Sequence, residues 1–143
     1  MQEGYNVQRL LFDHPTVTGD TVESRTLGTA AGTLYSKEFS YTDLLKNGSG
    51  TIGLAADVAG LSSDTLTVIQ AEFDYGGTMG YIKTLSLATT KTADFSDFYR
   101  IDTQDSFYTY LPFKKMRIAF TKTGTSDTLT IKGTINSSRF TNI

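Results

Sequence analysis

The sequence predicts an all-β fold, a two-sheet antiparallel sandwich of jelly-roll-like or immunoglobulin-like type, and three observations carry that prediction. The first is a closing hairpin. From Lys114 onward Met116, Ile118 and Phe120 alternate with Lys115, Arg117, Ala119 and Thr121. After Thr123-Gly124-Thr125-Ser126-Asp127 the alternation resumes, with Leu129, Ile131, Gly133 and Ile135 against Thr128, Thr130, Lys132 and Thr134. A period of two puts one set on one face of a pleated strand, and the short Gly-bearing connection folds the second strand back on the first. Such a hairpin is not stable alone, so its apolar face requires a partner sheet. The second observation is about eight strand-like runs at spacings near ten residues with no long helix, the signature of a sandwich. The third is composition: about one residue in six is Thr, Tyr and Gly are plentiful, Trp is absent and Pro occurs twice. Those residue types suit a pleated, half-buried surface.

Taken in order, residues 1–32 are the least regular. Val7 to Phe12 form a short strand or an apolar patch, and His14-Pro15 through Gly32 is a Thr/Gly/Ser-rich stretch with isolated Val17, Val22 and Leu27. So little apolar area does not fold by itself. The segment reads as a long loop, or as an extended arm that orders against a neighbouring subunit through Tyr5, Val7, Leu10, Leu11 and Phe12. Residues 33–143 read as the sandwich. Tyr35, Lys37, Phe39 and Tyr41 are expected on one face of a strand. Thr42 to Lys46 reads as a helical turn capped by Ser40 or Thr42 and ended by Asn47-Gly48. Strands follow at 52–58, 66–73 and 81–89, joined by the turns Gly60 to Asp64 and Asp74-Tyr75-Gly76-Gly77. Asp94 to Phe98 is expected to form a second helical turn with Asp94 as its cap. Phe107 to Tyr110 is a strand ended by Pro112, and the closing hairpin completes the chain. Ser63-Asp64-Thr65-Leu66-Thr67-Val68 is echoed by Ser126-Asp127-Thr128-Leu129-Thr130-Ile131. Ser-Asp suits a turn and Thr-Leu-Thr-Val a strand, so turn chemistry accounts for the echo without a duplicated half-domain.

Bulk properties narrow the function. A chain of 143 residues suits one domain that buries roughly 68–70% of its unfolded surface. Without cysteine, disulfides, thiolate metal sites and a catalytic thiol are excluded. Thirteen basic against fifteen acidic residues leave a net charge of −2, and no basic run exceeds Lys114-Lys115. That argues against a nucleic-acid partner held through phosphates and against steering to anionic membranes. No apolar run approaches 18 residues, so no transmembrane span is expected. The opening Met-Gln-Glu-Gly-Tyr-Asn has no basic or apolar signal region, so no secretory signal is expected either.

Catalytic constellations are likewise not expected. His14 is the single histidine, and a Ser-His-Asp relay or histidine metal site needs one placed in a rigid frame. Asp57 with Asp64, Asp94 with Asp97, and Asp102 with Asp105 could act as paired carboxylates or bind calcium, but all stand where turns favour Asp. Gly76-Gly77-Thr78-Met79-Gly80 lies between strands with no helix behind it, so it is a hairpin connection and not a phosphate cradle. No cofactor is expected. Phe95, Phe98, Tyr99, Phe107, Tyr108, Tyr110 and Phe113 crowd together. If Phe107, Thr109 and Leu111 face the core, Tyr108 and Tyr110 face outward, as an interface anchor or a sugar-stacking platform.

The run Phe107 to Thr121, continuing through Gly124 to Ile131, resembles the closing hairpin of small virion structural proteins of tailed bacteriophages. Leu66-Thr67-Val68-Ile69-Gln70-Ala71-Glu72-Phe73 is similar to an upstream strand of the same proteins, and the likeness covers roughly residues 51–135. The resemblance implies a β-sandwich on the capsid or tail, a decoration or auxiliary protein without catalytic residues. The leading expectation is a non-enzymatic capsid decoration or cement subunit, and a cysteine-free, signal-free, nearly neutral chain fits assembly in the host cytoplasm. It would bind the major capsid protein or other virion proteins and form a homo-oligomer, with Tyr108 and Tyr110 as surface anchors. The competing expectation is a carbohydrate- or receptor-binding module of a tail or fibre.

Overall fold

The computed structural model describes residues 2–12, 24–46, 48, 50–101 and 113–142. Among these residues ten strands and one helical turn follow in order: β1 (Gln2–Leu10), β2 (Ser24–Leu27), β3 (Gly32–Tyr35), β4 (Phe39–Ser40), α1 (Tyr41–Leu45), β5 (Gly50–Ala59), β6 (Thr65–Asp74), β7 (Tyr81–Lys91), β8 (Phe95–Arg100), β9 (Lys115–Thr123) and β10 (Leu129–Asn142). One antiparallel sheet runs β1-β10-β5-β8, with β2 also on β10. The other runs β3-β9-β6-β7, with β4 also on β9. The two-sheet sandwich read from the sequence is therefore the fold.

The strand order settles which sandwich it is. β1 and β2 occupy successive stretches of β10 opposite β5, and β3 and β4 do the same along β9 opposite β6. Each pair counts as one strand position, so the chain first visits one sheet, then the other, and the last strand returns beside the first. That winding is the double Greek key of a jelly roll, not the immunoglobulin arrangement. It also explains the long, doubly flanked β9 and β10. They fill the middle of the two sheets, and the alternation that marks them in the sequence turns Met116, Ile118 and Phe120 against Leu129, Ile131 and Ile135 in one core.

Three local expectations differ from the structure. Residues 2–10 pair with β10 in continuous register from Gln2 with Asn142 to Leu10 with Thr134. Leu11 then bridges the sheets, donating its N–H to the Gly133 carbonyl (3.0 Å) and accepting from the Lys37 N–H (2.9 Å). Val7, Leu11 and Phe12 are buried in the chain's own core, and Gly133 leaves room for Leu11 and the Ala55 carbonyl, into which a Cβ would run. Second, residues 33–41 do not make one strand. The chain breaks at Ser36, whose hydroxyl accepts from the Ile118 N–H (2.8 Å), so Tyr35 is exposed whereas Phe39 and Tyr41 are buried. Third, Asp94 to Phe98 is not helical. β8 pairs along β5 from Phe95 with Val58 to Arg100 with Gly53. The first helical turn is present over Tyr41–Leu45, one residue earlier than expected: Ser40 Oγ accepts the Asp43 N–H (3.0 Å), and Lys46, in the left-handed region at φ 48°, closes it in place of Asn47-Gly48.

Candidate functional site

Two features outside the ordinary core bear on function, one at an end of the sandwich and one on an outer face. The turns β2–β3, β5–β6, β7–β8 and β9–β10 each carry the chain between the sheets at the same end. There the echoed Ser-Asp pairs meet. The Asp127 carboxylate accepts from the N–H groups of Ser62 (2.8 Å), Ser63 (2.8 Å) and Asp64 (2.7 Å) and from the Ser62 hydroxyl (2.8 Å). In return the Asp64 carboxylate accepts from the N–H groups of Ser126 (2.9 Å) and Asp127 (2.7 Å). Each turn caps the other. Turn chemistry was the right reading of the echo; its reciprocity needed the fold.

Between the turns lies Lys122. Continuing the β9 alternation one step past Phe120 turns this side chain inward, where it is 1% exposed. Its ammonium donates to Asp64 Oδ2 (3.0 Å), the Asp127 carbonyl (2.6 Å) and the Thr29 carbonyl (3.0 Å). Three acceptors therefore surround the nitrogen, one for each N–H of a lysine ammonium. The backbone N–H groups of the opposite turn hold both carboxyls below the ordinary carboxylate range, chiefly Asp127's for Asp64 and Ser62's for Asp127. A depressed folded-state value means that this stabilisation is present above the unfolded carboxylate range and is lost as pH falls through the folded values. Asp94 adds to the same end by accepting from the N–H groups of Gly60 and Leu61, both at 2.8 Å. It caps a turn in space instead of a helix in sequence.

The second feature is a groove of about 550 Å³ across the outer face of the β1-β10-β5-β8 sheet, lined by Leu10, Ala55, Ala56, Gly133, Thr134 and Phe98 together with Asp57, Asp97, Ser96 and Lys132. It reaches from the end of β1 to β8. Small residues make it concave, and Phe98, 54% exposed, lies over Gly53, where any Cβ would collide with its ring. The charges lining it are paired: Lys132 with Asp57 at 3.5 Å, and Asp97 with Lys91 at 3.0 Å. Ser96 also donates to Asp57 (2.9 Å), and among the lining side chains Phe98 is the large exposed apolar one.

The opposite outer face differs. Arg117 is stacked between the rings of Tyr35 (3.9 Å) and Tyr81 (4.0 Å), its Nε donates to Glu72 (2.7 Å), and Tyr81 donates to Glu38, which also pairs with Lys115 (2.9 Å). That hydroxyl, with Lys115, lowers the Glu38 carboxyl, and burial pushes the Tyr81 phenol up. These aromatic and charged groups satisfy one another.

Of the side chains expected to bind a partner, only Leu10 lines the groove. Val7, Leu11 and Phe12 are spent on the core. Tyr5 is paired through its backbone with Arg139; its side chain, Tyr108, Tyr110, His14, Asp102 and Asp105 lie outside the described residues. Sequence reasoning missed Phe98 because the stretch was read as helical. The signal available was the alternation Ser96, Phe98, Arg100 against Phe95, Asp97, Tyr99.

Fold and site together define a jelly-roll domain with an Arg-Tyr-Glu-Lys network on one outer face and a groove beside an exposed phenylalanine on the other. No family model matches the chain, and no curated protein matches it. Solved structures do. The chain is similar to one in the structure of infectious bursal disease virus Gx strain, at 14% identity and a TM-score of 0.57, covering 96% of this chain and 32% of that one. For the Gt strain the identity is 11% and the TM-score 0.54, with the same coverage. The chain thus spans about a third of the viral chains it matches, and the likeness is one of fold.

Proposed function

We propose that this chain is a non-enzymatic structural component of a virus particle, and more narrowly a capsid decoration or cement subunit of a tailed phage. The observation that supports this reading best is the whole-length similarity of its jelly roll to chains in structures of a virus. The phage assignment rests on the resemblance of the closing hairpin.

In this reading the groove around Phe98 is the attachment face, and its occupant is an apolar segment of another virion protein. The lining presents no uncompensated charge to attract a phosphate or a carboxylate, whereas an exposed aromatic over a concave, small-residue floor suits an apolar side chain. Many copies on a lattice convert modest single contacts into stable attachment.

The test is mass spectrometry of gradient-purified particles from the source of the gene. The proposal expects the chain at a fixed copy number relative to the major shell protein, retained through the gradient. Its presence in the lysate but not in particles would refute it.

A further inference from the structure

We infer that the two Ser-Asp turns and Lys122 form a single acid-operated latch, so that the β5–β6 and β9–β10 turns open together and not one at a time. The geometry is reciprocal at every contact. Asp127 holds the amides of residues 62–64, Asp64 holds those of 126 and 127, and the two carboxylates sit in the very segments they cap. Releasing the 62–64 segment therefore moves the Asp64 backbone, which carries the acceptor for the other turn. The Lys122 ammonium adds a second tie, since one nitrogen grips the Asp64 carboxylate and the Asp127 carbonyl at once. Gly124, at φ +98°, lets the β9–β10 turn approach so closely that any Cβ would strike the Asp64 carboxylate.

The charged groups facing this cluster, among the described residues, are Asp64 from the β5–β6 turn, Asp127 from the β9–β10 turn and Lys122 from β9. Asp94 reaches the adjoining Gly60 and Leu61 amides from the β7–β8 turn. Thr29 contributes only its carbonyl, from the β2–β3 turn. Protonating either carboxylate removes acceptor strength from amides that have no other partner among these contacts, and protonating Asp64 also takes the counter-charge from the buried ammonium. The second carboxylate then loses its donors as well. Opening would uncover the end of the core at Leu61, Leu66 and Leu129, all buried in the closed form. Coupling of this kind is carried by one two-state element that both sites bias.

Two measurements on the full chain test the latch. The first is hydrogen exchange of Asp127→Asn and Asp64→Asn near neutral pH. Each variant should accelerate exchange by about tenfold or more in both segments, 61–66 and 124–129. Acceleration confined to the segment that lost its acceptor would overturn the proposal. The second needs no variant. Lowering pH on the wild-type chain should shift the amides of Ser62, Ser63, Asp64, Ser126 and Asp127 with one shared midpoint, below the ordinary carboxylate value of about 3.9, while the amides at the centres of β5 and β6 hold. Separate midpoints for the two turns, or no movement until the strands unfold, would equally overturn it.

Discussion

Replacing Lys122 with Met should lower stability by about 3–5 kcal/mol, or roughly 10–20 °C in melting temperature for a domain of this size. Methionine keeps the aliphatic length but removes the cation, leaving the buried Asp64 carboxylate without its counter-charge and the carbonyls of Thr29 and Asp127 without a donor. A buried ion pair is often replaceable by apolar residues at little cost, and this one should not be. Asp64 also caps Ser126 and Asp127, so the double variant Lys122→Met/Asp64→Leu strips the β9–β10 turn of its acceptor and should be no more stable than the single one. Differential scanning calorimetry of the two variants against wild type gives the answer, and recovery of stability in the double variant would contradict this account of the cluster.

If the groove around Phe98 is the attachment face, as proposed, Phe98→Asp should weaken association with the particle by about 30-fold or more, the loss expected when a central aromatic anchor worth about 2 kcal/mol is removed and a charge is put in its place. Stability should change by no more than about 1 kcal/mol, since a half-exposed side chain outside the core carries little of the fold. Lys83→Asp, on an exposed position of β7 at the opposite sheet, provides the control. Co-sedimentation with particles, beside a denaturant melt of each variant, separates an attachment defect from a folding defect.

Much of this fold was legible because β5, β6, β9 and β10 are central strands with one buried face, and burial imposes the alternation on which reading a strand depends. The helical turn was legible because its cap is a local contact from Ser40 to Asp43. Edge strands gave less. β1, paired among the described residues with β10 alone, has only scattered apolar residues, and Arg9, bound to both Asp43 oxygens at 2.9 Å, ties it to α1. In β8 Asp97 interrupts the apolar set of Phe95 and Tyr99; its carboxylate is partly exposed and held by Lys91 and Tyr99, each 3.0 Å away. Lys122 shows the same limit from the other direction. Parity along β9 points it inward, but its charge argues for solvent until Asp64 and two carbonyls are known to surround it. Strand order, and with it the choice of jelly roll over immunoglobulin arrangement, depends on pairings more than a hundred residues apart, such as Gln2 with Asn142. No local pattern encodes those.

The proposed attachment face can be examined most directly by placing a photo-reactive phenylalanine analogue at position 98 and, separately, at position 82, where Ile82 is half-exposed on β7, then irradiating assembled particles. The account predicts that position 98 cross-links to a second virion protein while position 82 does not. Cross-linking from position 82 alone, or from neither position in particles that contain the chain, would contradict it.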